Sequence, residues 1–220
     1  MFDGLISSKK IFVCPNARDF KNTFNNKKEL VNIDKSIFRI LFLSNLIKEK
    51  GVLDVLECAK ILLKKRSDIE FYFAGSARSE YVQEELITFA KENDYKNIKL
   101  VGKVIGDAKW RLFSNSDIFI LPTYYSSEGH PWVIVEALAA SLPIISTNHA
   151  AINESVFDSI NGFFVKKKSP NEIVEKIEIL INDHNLRTKF GDESRKIYKK
   201  YFTEGKIVNK FDDIFQKVIF

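Results

Sequence analysis

Short apolar stretches of strand length alternate along this chain with longer stretches of helical periodicity, and no other feature constrains its fold as much. Phe38–Ser44 reads as a buried strand, after which Leu53, Leu56, Ala59, Lys60, Leu62 and Leu63 repeat at helical spacing. Ile69–Ala74 reads as the second strand, ended by Gly75, and Tyr81–Asn93 as a helix turning Val82, Leu86, Phe89 and Ala90 inward. Ile98–Val101, stopped by Gly102, Ile118–Pro122, Pro143–Thr147 and Gly162–Val165 supply four more strands. Between and after them lie helical segments at Lys109–Asn115, Trp132–Ala140, the stretch opened by Ser169-Pro170, Leu186–Tyr201 and Glu204–Phe215. Ser169 is placed to cap free amides, and Pro170 at the first helical position loses no bond. Short continuous apolar strands separated by helices predict a parallel sheet covered on both faces. Right-handed crossovers make it an α/β, doubly wound, Rossmann-like sheet of about six strands. In such sheets ligands bind beyond the carboxyl ends of the strands, where strand order reverses. That singles out Ser44–Lys50, Gly75–Arg78, Gly102–Val104, Thr123–Pro131 and Asn148–Glu154.

Composition narrows the class. With 220 residues, 45% hydrophobic and 29% charged, the chain can bury a core without staples. Cys14 and Cys58 sit in apolar stretches without CxxC spacing and read as buried free thiols, which fits a reducing, cytoplasmic setting. The net charge of +5 admits nucleic acid, an anionic membrane surface or phosphate-bearing ligands as partners. Most lysines are interspersed with Asp and Glu, and the one run, Lys166–Lys168, reads as a solvated loop, so no nucleic-acid partner is expected. Met1–Lys10 has no signal-peptide core, and no apolar run approaches the roughly 20 residues that span a bilayer. The expected organisation is a residual strand, linker and polar loop over 1–37, a ligand-binding Rossmann-like domain over 38–201, and a C-terminal helix over 202–220. Within the first part, Lys9–Asn16 reads as a short strand and Lys21–Lys35 as polar loop.

The chemistry concentrates in Tyr124–Ser141. Glu128 and Glu136 flank seven residues there, and Glu136 falls on a helix starting near Pro131-Trp132. Gly129 lets the backbone turn so that following amides point into the crevice. Pro131 supplies no amide, which leaves Gly129, His130, Trp132 and Val133 as donors. A helix N-terminus with free amides suits a phosphate or a cluster of sugar hydroxyls. Glu136 stands among apolar neighbours, where a carboxylate either faces solvent or accepts hydrogen bonds from vicinal hydroxyls such as those of a ribose. The competing reading makes both glutamates exposed helix decoration. The three histidines lack metal-ligand spacing; His130 and His149 are crevice candidates only because their loops are. There is no nucleophile elbow, GxGxxG or Walker loop, and no Asp-x-Asp at a strand end, so neither an essential metal nor another cofactor is expected.

These segments together resemble the retaining glycosyltransferases of family 4, the group 1 glycosyltransferases, which have the GT-B fold. Glu128-x7-Glu136 within EGHPWVIVEALAASLPIISTN resembles the family signature. ILFLSNLIKEKG at Ile40–Gly51, FYFAGS at Phe71–Ser76, VGKV at Val101–Val104, Asn153-Glu154 and Asn161-Gly162 follow in the family's order. The resemblance implies that this is the donor-binding, C-terminal half of such an enzyme, with the acceptor-binding N-terminal half outside the sequence. It implies that Lys50 places an ammonium against the donor diphosphate, that Glu136 binds the ribose and that Glu128 lies beside the transferred sugar, so that Glu128 and Lys50 serve catalysis. Asn45, Gly75, Arg78, Gly102, Lys103, Gly129, His130, Trp132 and Val133 would complete the donor site. Transfer of a hexose-type sugar from a nucleoside-diphosphate sugar to a glycan or lipid-linked acceptor would follow, with the isolated domain inactive and the full enzyme able to associate peripherally with the inner face of a membrane.

Four positions depart from the family's pattern. Asn45 stands where the family usually has Arg, so one cation is missing unless Arg78 or Lys103 replaces it. Ser141 and Ala150-Ala151 stand where glycines are usual. Two rivals come from other classes: a nucleotide-binding module without catalysis, or a subunit of a split enzyme; and an epimerase or phosphorylase on the same fold. The glutamate spacing favours the transferase over the latter.

Overall fold

The computed structural model describes residues 12, 14–17, 36–93 and 96–219. Six strands form one wholly parallel sheet: β1 (Phe38–Leu43), β2 (Ile69–Ala74), β3 (Ile98–Gly102), β4 (Ile118–Leu121), β5 (Ile144–Ser146) and β6 (Gly162–Phe164). Their order is β3-β2-β1-β4-β5-β6, so the winding reverses between β1 and β4. The helices are α1 (Val52–Leu63), α2 (Glu80–Glu92), α3 (Gly106–Ser114), α4 (Trp132–Ala139), α5 (Pro170–Asn182), α6 (His184–Tyr201) and α7 (Glu204–Ile219). All four residues of β4 are buried, as are Ile40–Leu43 of β1, which accounts for their unbroken apolar character. α1 packs on α5, and α4 on α6.

Two glycines bring the functional turns together. Gly51 ends the turn Lys48–Lys50 with φ of 82°, and a Cβ there would lie 2.6 Å from the carbonyl oxygen of Pro122. The turn after β1 therefore abuts the end of β4 only because position 51 has no side chain. Gly75 has φ of 139°, and a Cβ there would fall 1.8 Å from Ser44 O. The loops after β1 and β2 are thus pressed backbone to backbone, and Leu46 N donates to Ser76 O at 3.0 Å.

Several expectations are corrected. α3 begins at Gly106 rather than Lys109, with Asp107 in its first turn where a carboxylate complements the helix dipole. Ser169 occupies the cap position of α5 and Pro170 follows it, but the Ser169 side chain makes no capping bond. Glu172 in that first turn instead accepts from Lys166 N at 2.7 Å. α6 begins at His184 because Asp183 caps it, accepting from Leu186 N at 2.8 Å. Cys58 is buried, and burial pushes its thiol up, whereas Cys14 is only half-buried. The strand expected at Lys9–Asn16 and the loop at Lys21–Lys35 lie largely outside the described residues; Phe12 and Cys14–Ala17 carry no strand.

Of the three positions where glycine is usual, Ser141 and Ala150 have φ of 61° and 51°, and Ala151 has φ of -88°. Small size alone does not preserve this backbone. A Cβ in the left-handed region costs about 1–2 kcal/mol, a cost that glycine at these positions would not carry. α7 carries an apolar stripe at helical spacing, Val208, Phe211, Phe215 and Val218, with 43–65% of each residue exposed.

Candidate functional site

Both glutamate side chains are nearly inaccessible, which overturns the reading of them as solvated helix decoration. The Glu128 side chain is 7% exposed and its Oε2 lies 2.5 Å from Lys50 Nζ. The same oxygen accepts from Thr123 Oγ1 at 2.9 Å, and Thr123 is fully buried. Lys50 Nζ also sits 5.0 Å from the centre of the Tyr125 ring, within cation–π reach. Lys50 comes from the turn after β1, and Glu128 and Thr123 from the loop after β4, so the pair spans the point where strand order reverses. Tyr124 N donates to Glu49 O at 2.8 Å and ties the two loops by their backbones. The carboxyl ends of β1 and β4 therefore present one ammonium and one carboxylate, held against each other.

Glu136 lies on the buried face of α4, its side chain 5% exposed, and its Oε1 is 2.5 Å from Lys109 Nζ on α3. The solvent-facing alternative for Glu136 is excluded. Lys109 lies 5.5 Å from the centre of the Trp110 ring. The sequence offered no signal for this partner, since Lys109 stands among ordinary polar residues of an amphipathic helix. Thr123 lies in the crevice loop that the sequence singles out, but nothing in the sequence gives its hydroxyl a role.

The loop into α4 turns without a left-handed glycine. Gly129 keeps a negative φ, and the place of its missing Cβ is open space. Pro131 is the cap residue, and the first helical bond runs from Ile134 N to Pro131 O at 3.0 Å. The amides of Gly129, His130, Trp132 and Val133 precede that bond, and Trp132 is 46% exposed. His130 is pinned: its Nε2 meets Ser155 Oγ, its ring stacks on Phe202 at 5.3 Å, and its carbonyl accepts from Asn16 Nδ2 at 2.7 Å. Burial pushes the His130 imidazole below its ordinary value, against a weaker opposing effect of Glu154.

The remaining expected residues divide. Asn45, Arg78, Gly102 and Lys103 are exposed at the carboxyl ends of β1, β2 and β3, and Gly75 is half-buried there. They ring the same end of the sheet, but Arg78 and Lys103 are not drawn into the Lys50–Glu128 pair. The Lys166–Lys168 run is exposed, as expected, yet it is not simply solvated. Lys167 Nζ lies 3.2 Å from His149 Nδ1, and His149 Nε2 lies 2.8 Å from Tyr125 O. Lys168 Nζ sits 5.2 Å from the Tyr124 ring centre, so the run borders the crevice loops. Among the described residues, no three His, Cys, Asp or Glu converge as a metal site, and no helix is long and apolar enough to cross a membrane.

Comparison with known proteins gives the family and the fold. The family model described as glycosyl transferases group 1 matches residues 23–197. The capsular polysaccharide biosynthesis glycosyltransferase CapM of Staphylococcus aureus is 29% identical over 179 residues, covering 81% of this chain and 46% of that protein. The N,N'-diacetylbacillosaminyl-diphospho-undecaprenol alpha-1,3-N-acetylgalactosaminyltransferase of Campylobacter jejuni is 26% identical over 199 residues, covering 89% of this chain and 50% of that protein. Among solved structures, Anabaena HepE in complex with UDP and glucose superposes with a TM-score of 0.69 at 19% identity, over 83% of this chain and 48% of that one. The C-terminal domain of the group 1 glycosyl transferase LpcC from Francisella tularensis gives 0.67 at 24% identity, over 87% of this chain and 97% of that one. The chain spans about half the length of the curated relatives it matches.

Proposed function

The chain belongs to the glycosyl transferases group 1 family, and on that premise we propose that it is the nucleotide-sugar-binding half of a retaining glycosyltransferase. The carrying observation is the Lys50–Glu128 pair at the strand-order reversal, with the buried Glu136 on the adjoining helix. A departing nucleoside diphosphate develops negative charge, and Lys50 supplies the ammonium that stabilises it. Glu128 accepts hydrogen bonds from hydroxyls of the transferred sugar and balances positive charge that grows at its anomeric carbon. Glu136 accepts both vicinal hydroxyls of the ribose. The amides from Gly129 to Val133 hold sugar and phosphate oxygens at the N-terminus of α4. The reading includes no essential metal, because the cationic role falls to Lys50.

The sugar is of hexose type and the acceptor a glycan or lipid-linked glycan, bound by a second, N-terminal half. Support comes from the activities of the relatives, which include capsular polysaccharide synthesis and transfer to an undecaprenol-linked acceptor. The exposed apolar stripe of α7 is the surface assigned to that second half. A lipid-linked acceptor would bring the full enzyme to a membrane face peripherally.

Titration calorimetry with UDP, GDP and ADP tests the donor site. One nucleoside diphosphate should bind with a micromolar to millimolar Kd, since one wall of the cleft is contributed here. Absence of binding by all three at millimolar ligand would remove the proposal.

A further inference from the structure

Lys50 is paired within the protein itself. Its ammonium lies 2.5 Å from Glu128, and the two side chains are 13% and 7% exposed. An ammonium and a carboxylate so close present a dipole to an approaching anion, whose attraction falls away faster than that of a bare charge. Of the two groups, the carboxylate is the anchored one. Thr123 Oγ1 donates to the same oxygen at 2.9 Å, and Thr123 in turn accepts from Tyr125 N at 3.2 Å. Lysine, on a flexible four-carbon stem with three donors, is the group that can turn away.

We propose that Glu128 discriminates between the intact nucleotide-sugar and the spent nucleoside diphosphate by competing for Lys50. This rests on the donor site proposed above. With the sugar present, its hydroxyls occupy Glu128 and Lys50 turns to the diphosphate. After transfer the hydroxyls are gone, the carboxylate takes Lys50 back, and the diphosphate is left without its compensating cation. The product thus loses its cation to the residue that helped to hold the substrate. A carboxylate next to a diphosphate site would otherwise be a plain cost to binding; here the cost falls on the product alone.

The test is calorimetry on the full chain with the nucleoside diphosphate that binds best and with its nucleotide-sugars, comparing the parent, Glu128→Gln, Lys50→Met and the double variant. Glu128→Gln should bind plain diphosphate about tenfold more tightly, the scale of one charge-assisted hydrogen bond freed for the ligand. It should bind nucleotide-sugar no better than the parent, so the preference for the sugar form falls. The gain should shrink in the Lys50→Met background, because there is no lysine to release. Unchanged or weaker diphosphate binding by Glu128→Gln overturns the discriminator while the donor site stands. Absence of diphosphate binding by the parent overturns the donor site itself. An undiminished gain in the Lys50→Met background also overturns the competition for Lys50. Should Glu128→Gln fail to fold, Glu128→Asp draws the charge back by one methylene and should shift affinity the same way, by less.

Discussion

Replacing Lys109 with methionine tests whether the α3–α4 contact is an energetic pair or an incidental one. Methionine keeps most of the apolar stem and removes the ammonium 2.5 Å from Glu136 Oε1. Removing one partner of a fully buried ion pair costs about 3–5 kcal/mol, and exposed pairs are worth about 0.2–1 kcal/mol. Glu136 is nearly inaccessible at 5% but Lys109 is 20% exposed, so screening places the expected loss between these, at about 2–3 kcal/mol. At about 2–4 °C per kcal/mol for a chain of this size, Tm should fall by about 4–12 °C. Urea unfolding with an unchanged m-value would give the free energy directly. The loss comes mostly from stranding a buried carboxylate, so Lys109→Met combined with Glu136→Leu should recover much of it, since Glu136 is flanked by buried apolar residues of α4. If the double variant is as unstable as the sum of the two singles, the pair has no coupling and the reasoning fails.

Glu136→Gln should weaken plain nucleoside diphosphate and nucleotide-sugar alike by about 1–2 kcal/mol, because glutamine keeps one acceptor oxygen; calorimetry that shows loss with only one of the two ligands contradicts a ribose contact. Ala150→Gly should raise stability by about 0.5–1 kcal/mol in urea unfolding, since relief of left-handed strain outweighs the added freedom of the unfolded chain. A decrease would show that φ of 51° at this position is unstrained. His130 has a folded-state value below its ordinary 6.5, so the unfolded chain takes up its proton first as pH falls. The contribution of neutral His130 is therefore complete above that value and is lost as pH drops below it toward the depressed folded value. Stability against pH from 8 to 5 should decline less steeply in His130→Phe than in the parent, and equal slopes would remove burial of His130 as the cause.

The sheet was legible because its strands are buried on both faces and therefore read as continuous apolar runs, as in Ile118–Leu121. The placing of Glu136 was legible for a related reason: one carboxylate in an otherwise apolar helix has to be accounted for. Its partner was not, because Lys109 lies 27 residues away and is chemically like every other surface lysine until the fold sets it against Glu136. The role of Thr123 was not legible, since a threonine at a strand end is unremarkable until its hydroxyl is seen on Glu128. At Ser141 and Ala150 the sequence shows that a usual glycine is missing, but not what the glycine is for. The backbone requirement is a positive φ, which no side-chain volume reveals. Ser169 illustrates the reverse failure: the right residue stands at the cap position and its hydroxyl is not used.

The contact of Gly75 with Ser44 O makes the loops after β1 and β2 one mechanical piece. Leu46, three residues past the end of β1, is bridged to Ala77, and the chain from there runs directly into the turn that carries Lys50. In a saturation screen for activity, any side chain at position 75 would push the first loop outward and displace the ammonium with it. Gly75 and Lys50 should therefore sort into the same phenotypic class, although one has no functional group at all. The tolerance profile of a residue without chemistry would then report where a distant charge has to be.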